Sequence, residues 1–201
     1  MLKQIPNILT FGRLILTIVF LVMILLAPPY YTKGEVPFPG FLDIAFILFV
    51  VAGLTDIVDG YAARKLNVAS KLGRMVDPLA DKILVCGTFI CFAIIGEPKL
   101  FNLGTGTLAI IHWLTAAILV GREAYVTALR HIAEARGINF AATVSGKIKM
   151  FLQTFAIGTV VIKMAHVQTA AWGSWFTAVT LAIMLSVTVF SGFRATRRPH
   201  G

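Results

Sequence analysis

Four aspartates, Asp56, Asp59, Asp77 and Asp81, carry the clearest chemical signal in the chain. They form two pairs, each pair spaced about one helical turn. On a helix, positions 56, 59, 60 and 63 share a face, and so do 77 and 81. Bare carboxylates on two neighbouring helix ends would repel one another. Divalent cations between them remove that conflict. A donor set made only of oxygen suits Mg²⁺, Mn²⁺ or Ca²⁺ and does not suit zinc, which favours His and Cys. Two hard cations sharing carboxylates are suited to displacement at phosphorus. Gly60, Ala63 and Gly73 lie on the same face or beside it. Small residues there read either as close helix packing or as room for a flat ligand, and the neighbouring aspartates favour the second.

A second group is basic. Lys147 and Lys149 stand one turn into an apolar run, and Arg122 and Arg130 stand on the run before it. Arg grips a phosphate with two parallel donors and Lys holds it as a point charge. A cavity lined this way draws in a soluble anion. The competing reading is ordinary positive flanking of membrane helices. Glu123, next to Arg122, is expected to hold that arginine in an ion pair. Arg194, closing the last apolar run, is a lesser candidate.

These residues need a scaffold, and the composition says which kind. Of 201 residues, 58% are hydrophobic and 13% charged, against about 45–50% and about 25% in an ordinary soluble domain. That excludes a disordered chain or a disulfide scaffold and argues against a soluble enzyme. Apolar runs fall at 8–27, 42–62, 77–96, 107–130, 145–165 and 170–193. At roughly 20 residues per span, six transmembrane helices use the whole length, so a single transmembrane domain over 1–201 is expected. The first run lacks a small-x-small cleavage pattern and is expected to remain as a span. With the N-terminus inside, 15 of the 18 Lys and Arg fall on the inner side, leaving Lys33, Lys99 and Lys163 outside. That asymmetry predicts both termini in the cytoplasm.

Arg13, the four aspartates, Arg122, Glu123, Lys147 and Lys149 all sit inside runs, near the inferred cytoplasmic ends. Charges within spans tend to face a bundle interior or a wet cavity. Aspartate is too short to reach back to the interface as Lys and Arg do. The expectation is an all-α integral membrane protein with a polar cavity open to the cytoplasmic side, above a dry outer half. Cys86 and Cys91 share one run, face different ways and suggest no disulfide. The four histidines show no metal-ligand spacing, and Trp172 and Trp175 fit an outer interfacial belt. A net charge of +9 without a long basic tract argues for a membrane surface rather than nucleic acid.

The spacing D-x2-D-G-x2-A-R-x8-G-x3-D-x3-D, running from Asp56 to Asp81 through Arg64, resembles that of the CDP-alcohol phosphotransferases at every specified position. The resemblance implies six transmembrane helices, two divalent metals (Mg²⁺ or Mn²⁺), a homodimer, and displacement of CMP from a CDP-linked substrate by an alcohol. Ile5-Pro6-Asn7-Ile8-Leu9-Thr10 with Arg13, Gly121-Arg122-Glu123 followed by Leu129-Arg130, and Gly146-Lys147-Ile148-Lys149 resemble bacterial members that join CDP-diacylglycerol to glycerol 3-phosphate. The last span adds little beyond hydrophobicity.

The family pattern implies that Asp56, Asp59 and Asp77 are metal ligands and that Asp81 is the general base, also near a metal. Gly60, Ala63 and Gly73 would admit the cytidine, and Asp56 would also touch the nucleotide. Arg64 would hold the local structure or a phosphate, and Thr10 and Arg13 would place the lipid head group. Arg122, Arg130, Lys147 and Lys149 would receive the acceptor's phosphate. The implied site faces the cytoplasm from the bacterial inner membrane. The motif handles only the CDP end, so serine, inositol phosphate or phosphatidylglycerol remain alternative acceptors. Membrane prenyltransferases also use paired aspartate motifs, but those lie far apart in sequence. A transporter with intramembrane aspartates is the alternative of another class.

Overall fold

The computed structural model describes residues 5–32, 40–66, 71–136 and 144–196, with side chains for 11–27, 40–55, 79–136 and 146–196. They form six helices: α1 (Ile5–Thr32), α2 (Phe41–Leu66), α3 (Lys71–Ile95), α4 (Thr105–Ala135), α5 (Val144–His166) and α6 (Ala171–Thr196). No strand occurs among the described residues. Helices α4, α6 and the stretch Gly146–His166 of α5 are long and apolar enough to cross a membrane, while Phe11–Ala27 and Phe41–Thr55 are shorter apolar stretches. The 23 residues of α5 extend about 34 Å at 1.5 Å per residue, against a hydrocarbon core of about 30 Å.

The helices outrun the apolar runs that predict them. Helix α1 continues through Pro28 and Pro29 to Thr32 instead of ending at 27, α3 starts at Lys71 instead of 77, and α4 reaches Ala135 instead of 130. Apolar runs mark the stretch suited to hydrocarbon. A polar turn at the end of such a helix makes the same backbone hydrogen bonds without adding hydrophobicity.

The chain forms two compact units, Met1–Ile95 and Gly96–Gly201. In the first, α1 packs against both α2 and α3. Its buried side chains are Arg13, Thr17, Phe20, Ile24 and Ala27, spaced by threes and fours along one face. Phe20 meets Phe49 of α2 with ring centroids 5.3 Å apart. Gly87 lets α3 come close to α1, because a Cβ there would lie 3.0 Å from Leu21 Cδ1. Gly96, at φ +72°, follows the last residue of α3 in the left-handed conformation that commonly ends helices. Cys86 and Cys91 form no disulfide.

In the second unit α6 packs against α4 and α5. Its buried face is built of small and hydroxylated residues: Gly173, Ser174, Thr177, Thr180, Thr188, Ser191 and Gly192, with Leu181 and Met184 between. Lys163, near the far end of α5, is buried and donates from Nζ to the Val167 and Gln168 carbonyls, both at 3.2 Å. A cation satisfying the carbonyls beyond a helix C-terminus explains how a lysine is buried there. His112 is also buried, with Nε2 3.1 Å from the Pro98 carbonyl and Nδ1 without a partner among the described residues. In the loop before α4, burial pushes the Glu97 carboxyl above its ordinary value, and the Lys99 amide and the Lys99 and Lys163 charges oppose that shift.

Candidate active site

The buried positions of α2 include Leu42, Ala45, Phe49 and Ala52. Positions 56, 59 and 63 lie further along the same helix, within Phe41–Leu66. Asp77 and Asp81 both lie in α3, four residues apart. Both aspartate pairs therefore lie within helices. The side chains of Thr10, Asp56, Asp59, Ala63, Arg64 and Asp77, and the surroundings of Gly60 and Gly73, lie outside the described residues. Among the described residues no three metal-binding side chains cluster.

Asp81 is described, and its partner is informative. Arg13 of α1 donates from Nη2 to Asp81 Oδ1 in a salt bridge. The arginine side chain is 1% exposed and the aspartate 32%. The Asp81 carboxylate compensates the charge of the buried Arg13. The packing of α1 on α3, helped by Gly87, is what brings the two together. Arg13, expected at the lipid head group, thus also touches the aspartate expected to be the base.

The second unit gathers a different set. Glu123 Oε1 accepts from Arg122 Nη1 at 2.9 Å and also from Lys149 Nζ. The side chains of Arg122, Glu123 and Lys149 are 12%, 14% and 7% exposed. Arg122 Nη2 donates to Ser191 Oγ of α6 at 2.9 Å, and that hydroxyl donates onward to the Thr188 carbonyl at 2.9 Å. A Cβ on Gly192 would lie 3.3 Å from Arg122 Cγ, so the glycine leaves room for the arginine stem. Residues of α4 and α6 thus fix the guanidinium, and Lys149 of α5 shares its carboxylate partner. Among the described residues the cluster holds two cations and one carboxylate, in a place mostly shielded from solvent. Arg130 and Lys147, also expected at the acceptor's phosphate, are exposed. Arg194 is exposed as well.

Chemically, one unit carries a carboxylate motif with a compensating arginine, and the other carries a cation-rich cluster fit for an anion. Residues 3–190 match the CDP-alcohol phosphatidyltransferase family. The chain belongs to that family. It is 32% identical to the CDP-diacylglycerol–glycerol-3-phosphate 3-phosphatidyltransferase of Bacillus subtilis (strain 168) over 193 residues, covering 94% of this chain and 92% of the relative. The protein of the same name from Escherichia coli (strain K12) is 30% identical, with 96% of each chain covered. A probable phosphatidylglycerophosphate synthase of Mycobacterium tuberculosis (strain ATCC 25618 / H37Rv) is 29% identical, covering 95% of this chain and 79% of the relative.

For this member of the CDP-alcohol phosphatidyltransferases, sequence reasoning missed what α6 does. Ser191 and Gly192 place Arg122, so the last helix contributes more than hydrophobicity. It also missed Gln153, which is 1% exposed with Nε2 lacking a hydrogen-bond partner among the described residues. Its signal was present: an amide one helical turn beyond Lys149 inside an apolar run, where polar side chains are costly.

Proposed function

We propose that this chain transfers the phosphatidyl group of CDP-diacylglycerol to glycerol 3-phosphate, releasing CMP and giving phosphatidylglycerol phosphate. The observation that carries the acceptor assignment is the buried Arg122–Glu123–Lys149 cluster, in a chain whose relatives are named for that acceptor. The aspartate spacing on α2 and α3 carries the CDP end.

In this reading the six helices are spans of one domain over 1–201, both termini lie in the cytoplasm, and the protein is a homodimer of the bacterial inner membrane. Asp56, Asp59, Asp77 and Asp81 supply the all-oxygen donor set that hard divalent cations take, and Mg²⁺ or Mn²⁺ is the cofactor. Such cations, when bound, neutralise the diphosphate and the charge that develops on it. Gly60, Ala63 and Gly73 receive the cytidine, with Asp56 beside it. Arg64, Thr10 and Arg13 serve the lipid phosphates and the local structure.

The free primary hydroxyl of glycerol 3-phosphate attacks the phosphorus that bears diacylglycerol. The phosphorus–oxygen bond to CMP breaks, and the hydroxyl proton goes to Asp81. Among the described residues Asp81 engages Arg13 through Oδ1 alone, so Oδ2 is the oxygen assigned to that proton. Arg122 and Lys149 hold the acceptor's phosphate, with exposed Arg130 and Lys147 guiding it in.

The test is CMP release by purified protein in detergent with CDP-diacylglycerol, offering glycerol 3-phosphate, serine, inositol phosphate and phosphatidylglycerol one at a time. Release with glycerol 3-phosphate alone, abolished by a chelator and restored by Mg²⁺ or Mn²⁺, is expected. Release with a different acceptor overturns the acceptor assignment, and no release with any acceptor overturns the transferase reading.

A further inference from the structure

In the second unit one carboxylate oxygen serves two cations. Glu123 Oε1 takes a hydrogen bond from Arg122 Nη1 and another from Lys149 Nζ, while Ser191 occupies Arg122 Nη2. Arg122 Nε is left without a partner among the described residues, and so is the amide nitrogen of buried Gln153, one turn along α5 from Lys149. Both unpartnered groups are donors. The cluster therefore still asks for an acceptor, and its strongest donors already hold one. An arriving phosphate must share those donors with Glu123 or take them from it.

Resting on the acceptor-phosphate reading above, we infer that Glu123 is a specificity-determining internal competitor, whose carboxylate occupies the Arg122 and Lys149 donors until the phosphate of an acceptor displaces it. The chemistry makes this a charge filter. A phosphomonoester near neutral pH carries about −1.5 to −2 and three acceptor oxygens, more than the single charge and two oxygens of a carboxylate. It can therefore win the shared donors. A zwitterionic amino acid brings only a carboxylate equal to the one in place, and a neutral polyol brings no charge. Specificity here comes from a repulsive element facing the wrong acceptors as much as from attraction to the right one. Glu123 also keeps two poorly exposed cations from facing each other unscreened while no acceptor is present.

Glu123→Gln keeps the shape and removes the charge. The expected result is a KM for glycerol 3-phosphate about tenfold lower, with the KM for CDP-diacylglycerol unchanged. Serine or glycerate, negligible against the wild type, should become measurable competitors of glycerol 3-phosphate. Inorganic phosphate should raise the melting temperature of the variant more than that of the wild type, because anion binding then relieves two uncompensated cations. A KM that rises, with no added stabilisation by phosphate, overturns the inference and makes Glu123 a brace for Arg122. Should Glu123→Gln fail to fold, Glu123→Asp withdraws the same charge by one methylene. It should lower the KM more modestly, and an unchanged or higher KM overturns the inference equally. Lys149→Met separates the two levels. If it alters neither the KM for glycerol 3-phosphate nor the response to inorganic phosphate, the acceptor site itself is misplaced. If it raises that KM while Glu123→Gln does not lower it, the site stands and the competitor role falls.

Discussion

Helices α1 and α6 do the same structural work in the two units, each packing against two others, yet they organise opposite charge arrangements. In the first unit α1 carries one buried arginine to one aspartate of a carboxylate motif. In the second, α6 offers a hydroxyl and a missing side chain to an arginine that shares its carboxylate with a lysine. The first arrangement joins an arginine to one aspartate, with further aspartates nearby in sequence. The second, among the described residues, sets one carboxylate between two cations. Burial makes both compositions consequential, since charges shielded from water interact strongly and are costly when unmatched. A carboxylate-rich region recruits cations and a cation-rich one recruits anions. In the function proposed above, the first region serves the CDP end and the second the acceptor's phosphate.

If the two regions divide the work in this way, their variants must fail in different parameters. Asp81→Asn is expected to reduce CMP release by about 10²-fold or more, the range lost with a general base. Binding of CDP-diacylglycerol should stay measurable. A variant with near-normal turnover removes Asp81 as base. Arg13→Gln should follow. It leaves Asp81 without its described cation and should lower kcat about tenfold or more, while barely moving the KM for glycerol 3-phosphate. Arg13→Lys should restore part of kcat, and a variant that loses affinity for the acceptor instead would join Arg13 to the wrong region.

Two lysines on α5 give the sharpest contrast on the anion side. Lys149 is buried against Glu123 and Lys147, two residues earlier, is exposed. Lys149→Met should raise the KM for glycerol 3-phosphate about 10-fold or more, in line with losing a charged hydrogen bond of roughly 1.5–3 kcal/mol. Lys147→Met should change it about twofold at most, as expected for an exposed charge. Equal effects would mean that burial does not select the binding lysine.

Much of this was legible in the sequence because hydrophobic periodicity and charge placement both follow the backbone. All six apolar runs became helices, and the Asp56–Asp59 and Asp77–Asp81 spacings kept their helical meaning. The pairing of Glu123 with Arg122 was readable because the residues adjoin. Helix ends were less legible, since the polar turns at Lys71 and at Ala135 carry no apolar signal. Long-range partners were not legible at all. That Arg13 meets Asp81, that Lys149 rather than Lys147 reaches Glu123, and that Ser191 holds Arg122 depend on how helices far apart in sequence pack. Nothing in the local pattern of α6 distinguishes Ser191 from the other hydroxyl residues along its buried face.

Ser191 therefore supplies the finest test of whether the second unit works by geometry as well as by charge. Its Oγ accepts from Arg122 Nη2 and is itself fixed by donating to the Thr188 carbonyl, so the guanidinium is held at both ends of its fork, by Glu123 on Nη1 and by Ser191 on Nη2. Ser191→Ala removes one neutral acceptor and no charge. The loss of a typical hydrogen bond is worth about 1 kcal/mol, which converts to a rise of roughly fivefold in the KM for glycerol 3-phosphate. kcat and the KM for CDP-diacylglycerol should hold. Ser191→Thr keeps the hydroxyl and should recover most of the affinity if the added methyl is accommodated beside Arg122. An alanine variant indistinguishable from wild type would mean that Glu123 and Lys149 alone orient the arginine, and that α6 contributes only the space beside Gly192.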